Sequence, residues 1–81
     1  MKDDDIKIAK VKEIKALLAE KIGVEPDDID LDDSFLTDLH MMPSDFTDFV
    51  QGLTTLNLDV SKLNLAEIET FGDLLENFGL D

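Results

Sequence analysis

The 81-residue chain contains no cysteine and no arginine. Without cysteine no disulfide can hold the fold together, no thiolate can ligate a metal, and the polypeptide itself offers no thiol. No apolar run approaches the roughly 20 residues that a membrane-spanning helix requires. The first ten residues, MKDDDIKIAK, lack the long apolar segment of a secretory signal. We therefore expect a soluble, cytoplasmic protein.

Positive charge is scarce and unevenly placed in this acidic chain, whose formal net charge is -13. Six of the seven lysines fall in residues 1–21 beside five acidic residues, whereas residues 22–81 hold fifteen acidic residues and one lysine, Lys62. Nucleic acids and anionic membranes are poor partners for such a chain, because phosphate groups are bound by clustered Lys or Arg. A basic protein surface is the natural complement. Solubility alone explains the charge equally well.

Apolar residues recur at helical spacing in three segments, and the length fits one domain spanning residues 1–81. The first segment, residues 5–22, has Asp3 to Asp5 before it and Gly23 after it as a stop signal. Its expected buried stripe comprises Ile8, Val11, Ile14, Leu18 and Ile22, with Leu17 beside it.

The other two helical segments carry their own start signals. Residues 43–56 begin at Pro43, which suits a first helical turn, and include Gly52, whose cost of about 1 kcal/mol suggests a close contact there. Residues 71–78 follow Thr70, a candidate N-cap, with Asp73 three residues later. The expected buried faces comprise Phe46, Phe49, Val50, Leu53 and Leu56 in one segment and Phe71, Leu74, Leu75 and Phe78 in the other.

Two connecting segments are expected to be ordered. Residues 23–37 contain five apolar positions that could fix a long loop on a core: Val24, Ile29, Leu31, Phe35 and Leu36. In residues 57–69, a short helical turn is expected from Ser61 to Leu65, with Val60, Leu63, Leu65 and Ile68 pointing inward. The sequence thus predicts a small all-α four-helix bundle with three longer helices and one short helix.

Residues 22–39, IGVEPDDIDLDDSFLTDL, resemble the end of the first helix and the long loop of acyl carrier proteins. Residues 68–78, IETFGDLLENF, resemble that family's last helix, so the resemblance covers nearly the whole chain. It implies an acyl-carrier-protein-like fold. It also implies a carrier role of the kind found in fatty acid biosynthesis. It also implies a monomer that holds an acyl-type group as a thioester on a 4′-phosphopantetheine arm. The implied partners are basic surfaces of carrier-recognising enzymes, among them a phosphopantetheinyl transferase.

The family's attachment motif, Asp-Ser-Leu shortly after Asp-Leu-Gly, is altered in this chain. An alignment without a gap from Asp38-Leu39 puts Pro43 at the serine position. One inserted residue puts Ser44 there, and two inserted residues put Asp45 there. Ser44 is the candidate for phosphopantetheine attachment. The alternative is that Ser44 only satisfies a backbone N–H in the first helical turn.

Residues around this junction are candidates for partner binding. His40 stands where the family has glycine, and two adaptable methionines follow it. The candidate partner-binding residues are Asp38, His40, Met41, Met42, Asp45 and Asp48.

Metal binding and catalysis find less support. Asp28, Asp30 and Asp32 are spaced like the opening of a calcium loop, but the sixth and twelfth positions hold Asp33 and Leu39 instead of Gly and Glu, so no metal site is predicted.

A relay of Asp38, His40 and Ser44 would lie on one short loop without evident oxyanion donors, so no catalytic residue is predicted. We expect a non-catalytic carrier domain. The alternative is a carrier-like protein-interaction module that lacks the prosthetic group.

Overall fold

The computed structural model describes the backbone of residues 3–80 and the side chains of residues 5–80. Met1, Lys2, Asp81 and the side chains of Asp3 and Asp4 lie outside this part. Within residues 3–80 there are three α-helices, α1 (Asp3–Ile22), α2 (Pro43–Gly52) and α3 (Phe71–Asn77).

The connections contain four 3₁₀ turns, at Pro26–Asp28, Leu53–Leu56, Val60–Lys62 and Leu65–Glu67. Residues 3–80 contain no β-strand, only an isolated antiparallel bridge between Ser34 and Thr70. The all-α class is therefore confirmed. The fourth helix is not, because two separate turns occupy the place of the expected short helix at Ser61 to Leu65.

Helix α1 contributes the centre of its predicted stripe to the core and leaves the beginning in solvent. Ile14 and Leu18 are fully buried, whereas Ile8 is 55% exposed, so its assignment to the core was wrong. Asp3 to Asp5 form the first turn of the helix and do not precede it. Gly23 ends the helix with φ +75°, a conformation that favours glycine.

Helix α2 crosses α1 at a glycine, as expected. A Cβ atom on Gly52 would lie 3.2 Å from Cδ2 of Leu17, so the two helices approach closely at this point. Phe49, Val50 and Leu53 are buried and Phe46 is half-buried, which confirms the predicted apolar face. The α-helical hydrogen bonding stops at Gly52, earlier than predicted, and the chain continues as a 3₁₀ turn.

The long loop after α1 is fastened to the start of α3 by backbone hydrogen bonds. Gly72 N–H donates to the carbonyl of Leu31 (2.8 Å), Phe71 N–H to that of Asp33 (3.0 Å), and Phe35 N–H to that of Glu69 (2.9 Å). The first two bonds satisfy N–H groups at the start of α3 that have no partner within that helix. The expectation of an ordered loop is thereby confirmed.

Two of the five apolar loop residues hold this loop on the core. Ile29 and Phe35 are buried, and the Phe35 ring lies 4.8 Å from the Phe46 ring and 6.1 Å from the Phe49 ring between centroids. The other three loop residues, Val24, Leu31 and Leu36, are exposed. Leu65, also expected to point inward, is exposed as well.

Helix α3 begins with the capping box that the sequence predicted. The Thr70 hydroxyl accepts from Asp73 N–H (3.1 Å), and an Asp73 carboxylate oxygen accepts from Thr70 N–H (3.1 Å). The same carboxylate oxygen accepts from Glu69 N–H (3.1 Å). Hydrogen bonds from the backbone N–H groups of Glu69 and Thr70 hold the pKa of Asp73 below its ordinary value. Phe71, Leu74 and Leu75 are buried behind this start.

Candidate functional site

The segment that leads into α2 is anchored by one of its two methionines. Met41 is 3% exposed, belongs to the core, and donates its N–H to the carbonyl of Phe35 (2.9 Å). Its side chain is therefore not on the surface where partner binding was expected. Met42, in contrast, is 65% exposed. The segment thus turns one methionine inward and presents the next to solvent.

His40 adopts a backbone conformation that favours glycine. Its φ is 54°, in the left-handed region, and its side chain is exposed. This explains in physical terms why a glycine at this place, as in the acyl carrier motif, would suit the turn. The Asp38 carboxylate accepts Ser34 N–H at 2.8 Å, and among the described residues no hydrogen bond joins His40 to Asp38 or Ser44.

Ser44 lies in the first turn of α2, directly after Pro43, and is exposed. Its side chain takes part in no hydrogen bond with the described residues, so its hydroxyl is not used to cap the helix. Capping is performed by Asp45, whose carboxylate accepts Met42 N–H at 3.1 Å. The geometry therefore does not support a capping role for Ser44.

The carboxylates expected to bind a partner are all on the surface. Asp38, Asp45 and Asp48 are exposed. Asp38 and Asp45 also accept hydrogen bonds, from the backbone N–H groups of Ser34 and Met42 respectively. Asp48 makes no such hydrogen bond in the described residues. Replacing Asp48 therefore tests charge alone, whereas replacing either of the other two also alters the local backbone.

An apolar, half-open groove of about 580 Å³ adjoins the start of α2. Its lining includes Phe35 and Phe46, whose rings pack against each other, and Pro43, the neighbour of Ser44. The remaining lining residues are Ser34, Leu36, Thr37, Thr47, Leu65, Ile68 and Glu69. This volume falls in the range of small-molecule sites, roughly 300–1,000 Å³. The sequence did not reveal the groove, because three separate segments, residues 34–37, 43–47 and 65–69, form it only when the chain is folded.

A second, smaller recess of about 340 Å³ lies at the junction of α1 with α2. It is lined by both charged and apolar side chains, including Lys21, Asp38, His40 and Asp45. No group of three or more His, Cys, Asp or Glu residues in the described part is arranged to hold a metal ion. No helix there is both long enough and apolar enough to cross a membrane.

Comparison with known proteins finds a distant similarity to acyl carrier proteins. The chain is 28% identical over 65 residues to the acyl carrier proteins of Chlamydia trachomatis serovars A and D, covering 79% of this chain and 84% of each relative. The acyl carrier protein of Chlamydia muridarum is 26% identical over the same share. No protein-family model and no solved structure matches the chain. The all-α fold agrees with this similarity, which supports a distant relationship to acyl carrier proteins.

Proposed function

We propose that this domain is a non-catalytic carrier that holds an acyl-type group on a 4′-phosphopantetheine arm attached to Ser44. The observation that carries the proposal is the position of Ser44: an exposed hydroxyl, free of hydrogen bonds to described residues, in the first turn of α2. The distant similarity to acyl carrier proteins supports the same function.

The residues around Ser44 fit the attachment of a phosphodiester. The N–H groups of a first helical turn have no partner inside the helix, and the positive end of the helix dipole favours a phosphate. Asp45 already has its carboxylate turned to Met42 N–H, which directs this acidic group to the backbone. The arm would supply the thiol that a chain without cysteine lacks. Pro43 fixes the entry of the chain into α2 and leaves the next residue accessible.

Intact-mass measurement tests this function directly. After incubation with coenzyme A and a phosphopantetheinyl transferase, we expect the chain to gain one phosphopantetheine, because the Ser44 hydroxyl is accessible. Ser44→Ala should abolish the gain. Ser61→Ala is the matched control, since Ser61 is also exposed but its hydroxyl donates to Asp59 on a different surface. Absence of any gain with several transferases would reject attachment to this chain.

A second candidate is a carrier-like interaction module without the prosthetic group. It is supported by three exposed apolar side chains on or near the groove: Leu36, Met42 and Leu65. Together with Asp48 they would present an apolar surface with acidic neighbours to a basic partner. If the chain takes no arm, Met42→Gln should weaken binding to such a partner with little change in the melting temperature, because Met42 lies outside the core and glutamine, like methionine, is not a favoured residue at this N-cap position.

A further inference from the structure

The recess between the end of α1 and the start of α2 is lined by side chains of both charges. Lys21 lies in the last turn of α1 and Asp45 in the first turn of α2, where each charge complements its end of the helix dipole. Asp38, from the loop before α2, lines the recess with them. The fold therefore brings one ammonium and two carboxylates from three separate segments to one opening.

These opposite charges do not pair with each other. Lys21 forms no salt bridge with Asp38 or Asp45, although all three line the same recess. The salt bridge found among the described residues joins Lys10 to Glu13. Each of the two recess carboxylates accepts one backbone N–H through Oδ2, and its Oδ1 accepts no hydrogen bond from the described residues. The recess therefore keeps both donors and acceptors available to a ligand.

The rest of the recess lining is mainly apolar. Besides His40 it comprises Ile22, Val24, Leu39 and Met41. Met41 is buried, whereas the charged lining side chains are exposed. A ligand can thus cover apolar area in the recess while its own charged groups stay in contact with water. The volume of about 340 Å³ lies in the range of small-molecule sites.

We propose that this recess binds, without a covalent bond, a free amino acid zwitterion with a branched apolar side chain. The ligand carboxylate contacts the Lys21 ammonium, the ligand ammonium contacts Oδ1 of Asp38 and Asp45, and the side chain lies on the apolar lining. A ligand with both charges satisfies both kinds of group at once, which a simple anion or a simple cation does not. The recess shares no lining residue with the groove, and Ser44 is not part of its lining.

An NMR titration with leucine tests the site. Isotope-labelled full-length protein, shown by intact mass to carry no covalent addition, is used at neutral pH and about 0.15 M salt, where exposed charges more than about 8 Å apart are largely screened. We expect leucine to shift the amide signals of Val24, Leu39 and Met41. Ser44→Ala should bind leucine as the parent does, so the result is separate from the proposed attachment. Absence of shifts, or shifts confined to residues outside the recess, would overturn the proposal.

Two analogues of leucine separate the contributions of its charges. 3-Methylbutylamine is leucine without the carboxylate, and 4-methylpentanoate is leucine without the ammonium. Each should bind at least roughly fivefold more weakly than leucine, the factor for one pair of opposite unit charges about 4 Å apart in water. Binding of either analogue as tightly as leucine would refute recognition of a zwitterion.

Matched variants assign each ligand charge to a residue. Lys21→Gln should weaken leucine binding by roughly fivefold and leave 3-methylbutylamine unaffected, because that amine has no carboxylate. Asp45→Asn should weaken binding of leucine and of the amine, and its amide oxygen can still accept Met42 N–H. Lys12→Gln and Asp48→Asn are the charge-matched controls and should bind as the parent does, because both residues are exposed and lie outside the recess. Melting temperatures verify that the variants fold. Equal losses for leucine and the amine in Lys21→Gln would contradict the assigned contact.

Discussion

Gly72 is the glycine at which an added methyl group should do most harm to the contact between α3 and the long loop. A Cβ atom there would lie 3.0 Å from the carbonyl oxygen of Leu31. That oxygen cannot withdraw freely, because it accepts Gly72 N–H at 2.8 Å and helps to hold the long loop on α3. Gly72→Ala therefore forces either a steric conflict or the loss of this hydrogen bond.

The size of the effect follows from these contacts. Overpacking costs about 1–3 kcal/mol, and a lost hydrogen bond about 1 kcal/mol. Helix propensity returns up to about 1 kcal/mol when alanine replaces glycine. We expect Gly72→Ala to lower the free energy of unfolding by about 1–2 kcal/mol. In a domain of this size, that corresponds to a fall in melting temperature of roughly 5–15 °C.

Gly52→Ala is the control, because the same methyl group meets a different kind of neighbour. At Gly52 the nearest atom is the tip of the Leu17 side chain, at 3.2 Å, which can move. The helix-propensity gain then roughly cancels the crowding, and we expect a change within about 0.5 kcal/mol of zero. Urea denaturation followed by circular dichroism measures both variants, with an unchanged m-value as the sign of an intact two-state transition. Equal stabilities of the two variants would refute the reasoning from the Leu31 carbonyl.

Four further outcomes are expected. His40→Gly should stabilise the fold by about 0.5–1 kcal/mol in urea, because a side chain in the left-handed region costs roughly 1–2 kcal/mol, partly offset by the flexibility of glycine when unfolded; a loss of stability would contradict this. Lys10→Met should lower the free energy of unfolding by about 1 kcal/mol, because Lys10 Nζ donates to the carbonyl of Leu56 at 2.6 Å. The control Lys12→Met, at an exposed position, should leave the free energy of unfolding unchanged. Asp73→Asn should destabilise the protein at pH 7. Since the folded pKa of Asp73 is lowered, its contribution is complete above the unfolded value of about 3.9 and is lost as pH falls through the folded value; a gap between parent and variant that persists in acid would argue against it. Added salt or a divalent cation should raise the melting temperature, because it screens the repulsion within an acidic chain; no response would show that the charges are already well separated.

Local signals in the sequence predicted the helix boundaries where the deciding interaction is itself local. The capping box at Thr70 and Asp73 joins residues three positions apart, and Pro43 needs only its own fixed φ to begin α2. Gly23 likewise ends α1 through its own conformation. Such features depend on few neighbours, and the residue types alone are informative.

Features that depend on the extent of the core were not predictable in the same way. Helical periodicity identifies the side of α1 that faces inward, but not how far along the axis the core extends, so Ile8 was misplaced. The prediction that Leu65 points inward was wrong for a related reason, because a 3₁₀ turn directs its side chains differently from an α-helix. The burial of Met41 was weakly indicated, because Met41 lies two residues after Leu39, an apolar residue that is half-buried.

The candidate site likewise has one part that the sequence predicted and one part that it did not. Ser44 could be chosen from the chain alone, as the one serine near the expected helix start. The groove could not be predicted in this way. Phe35, Phe46 and Ile68 come together only when the long loop, α2 and the last 3₁₀ turn have packed. Its absence of positive charge was implied by the composition, but its location was not.

The backbone hydrogen bonds between the long loop and α3 make two amides natural reporters of the groove. A helix of seven residues is too short to persist in water on its own, so α3 depends on the loop for its first N–H partners. Each time residues 31–35 detach, the N–H groups of Phe71 and Gly72 become available to solvent. Their hydrogen–deuterium exchange rates therefore measure how often the groove loses its wall, before any ligand has been found.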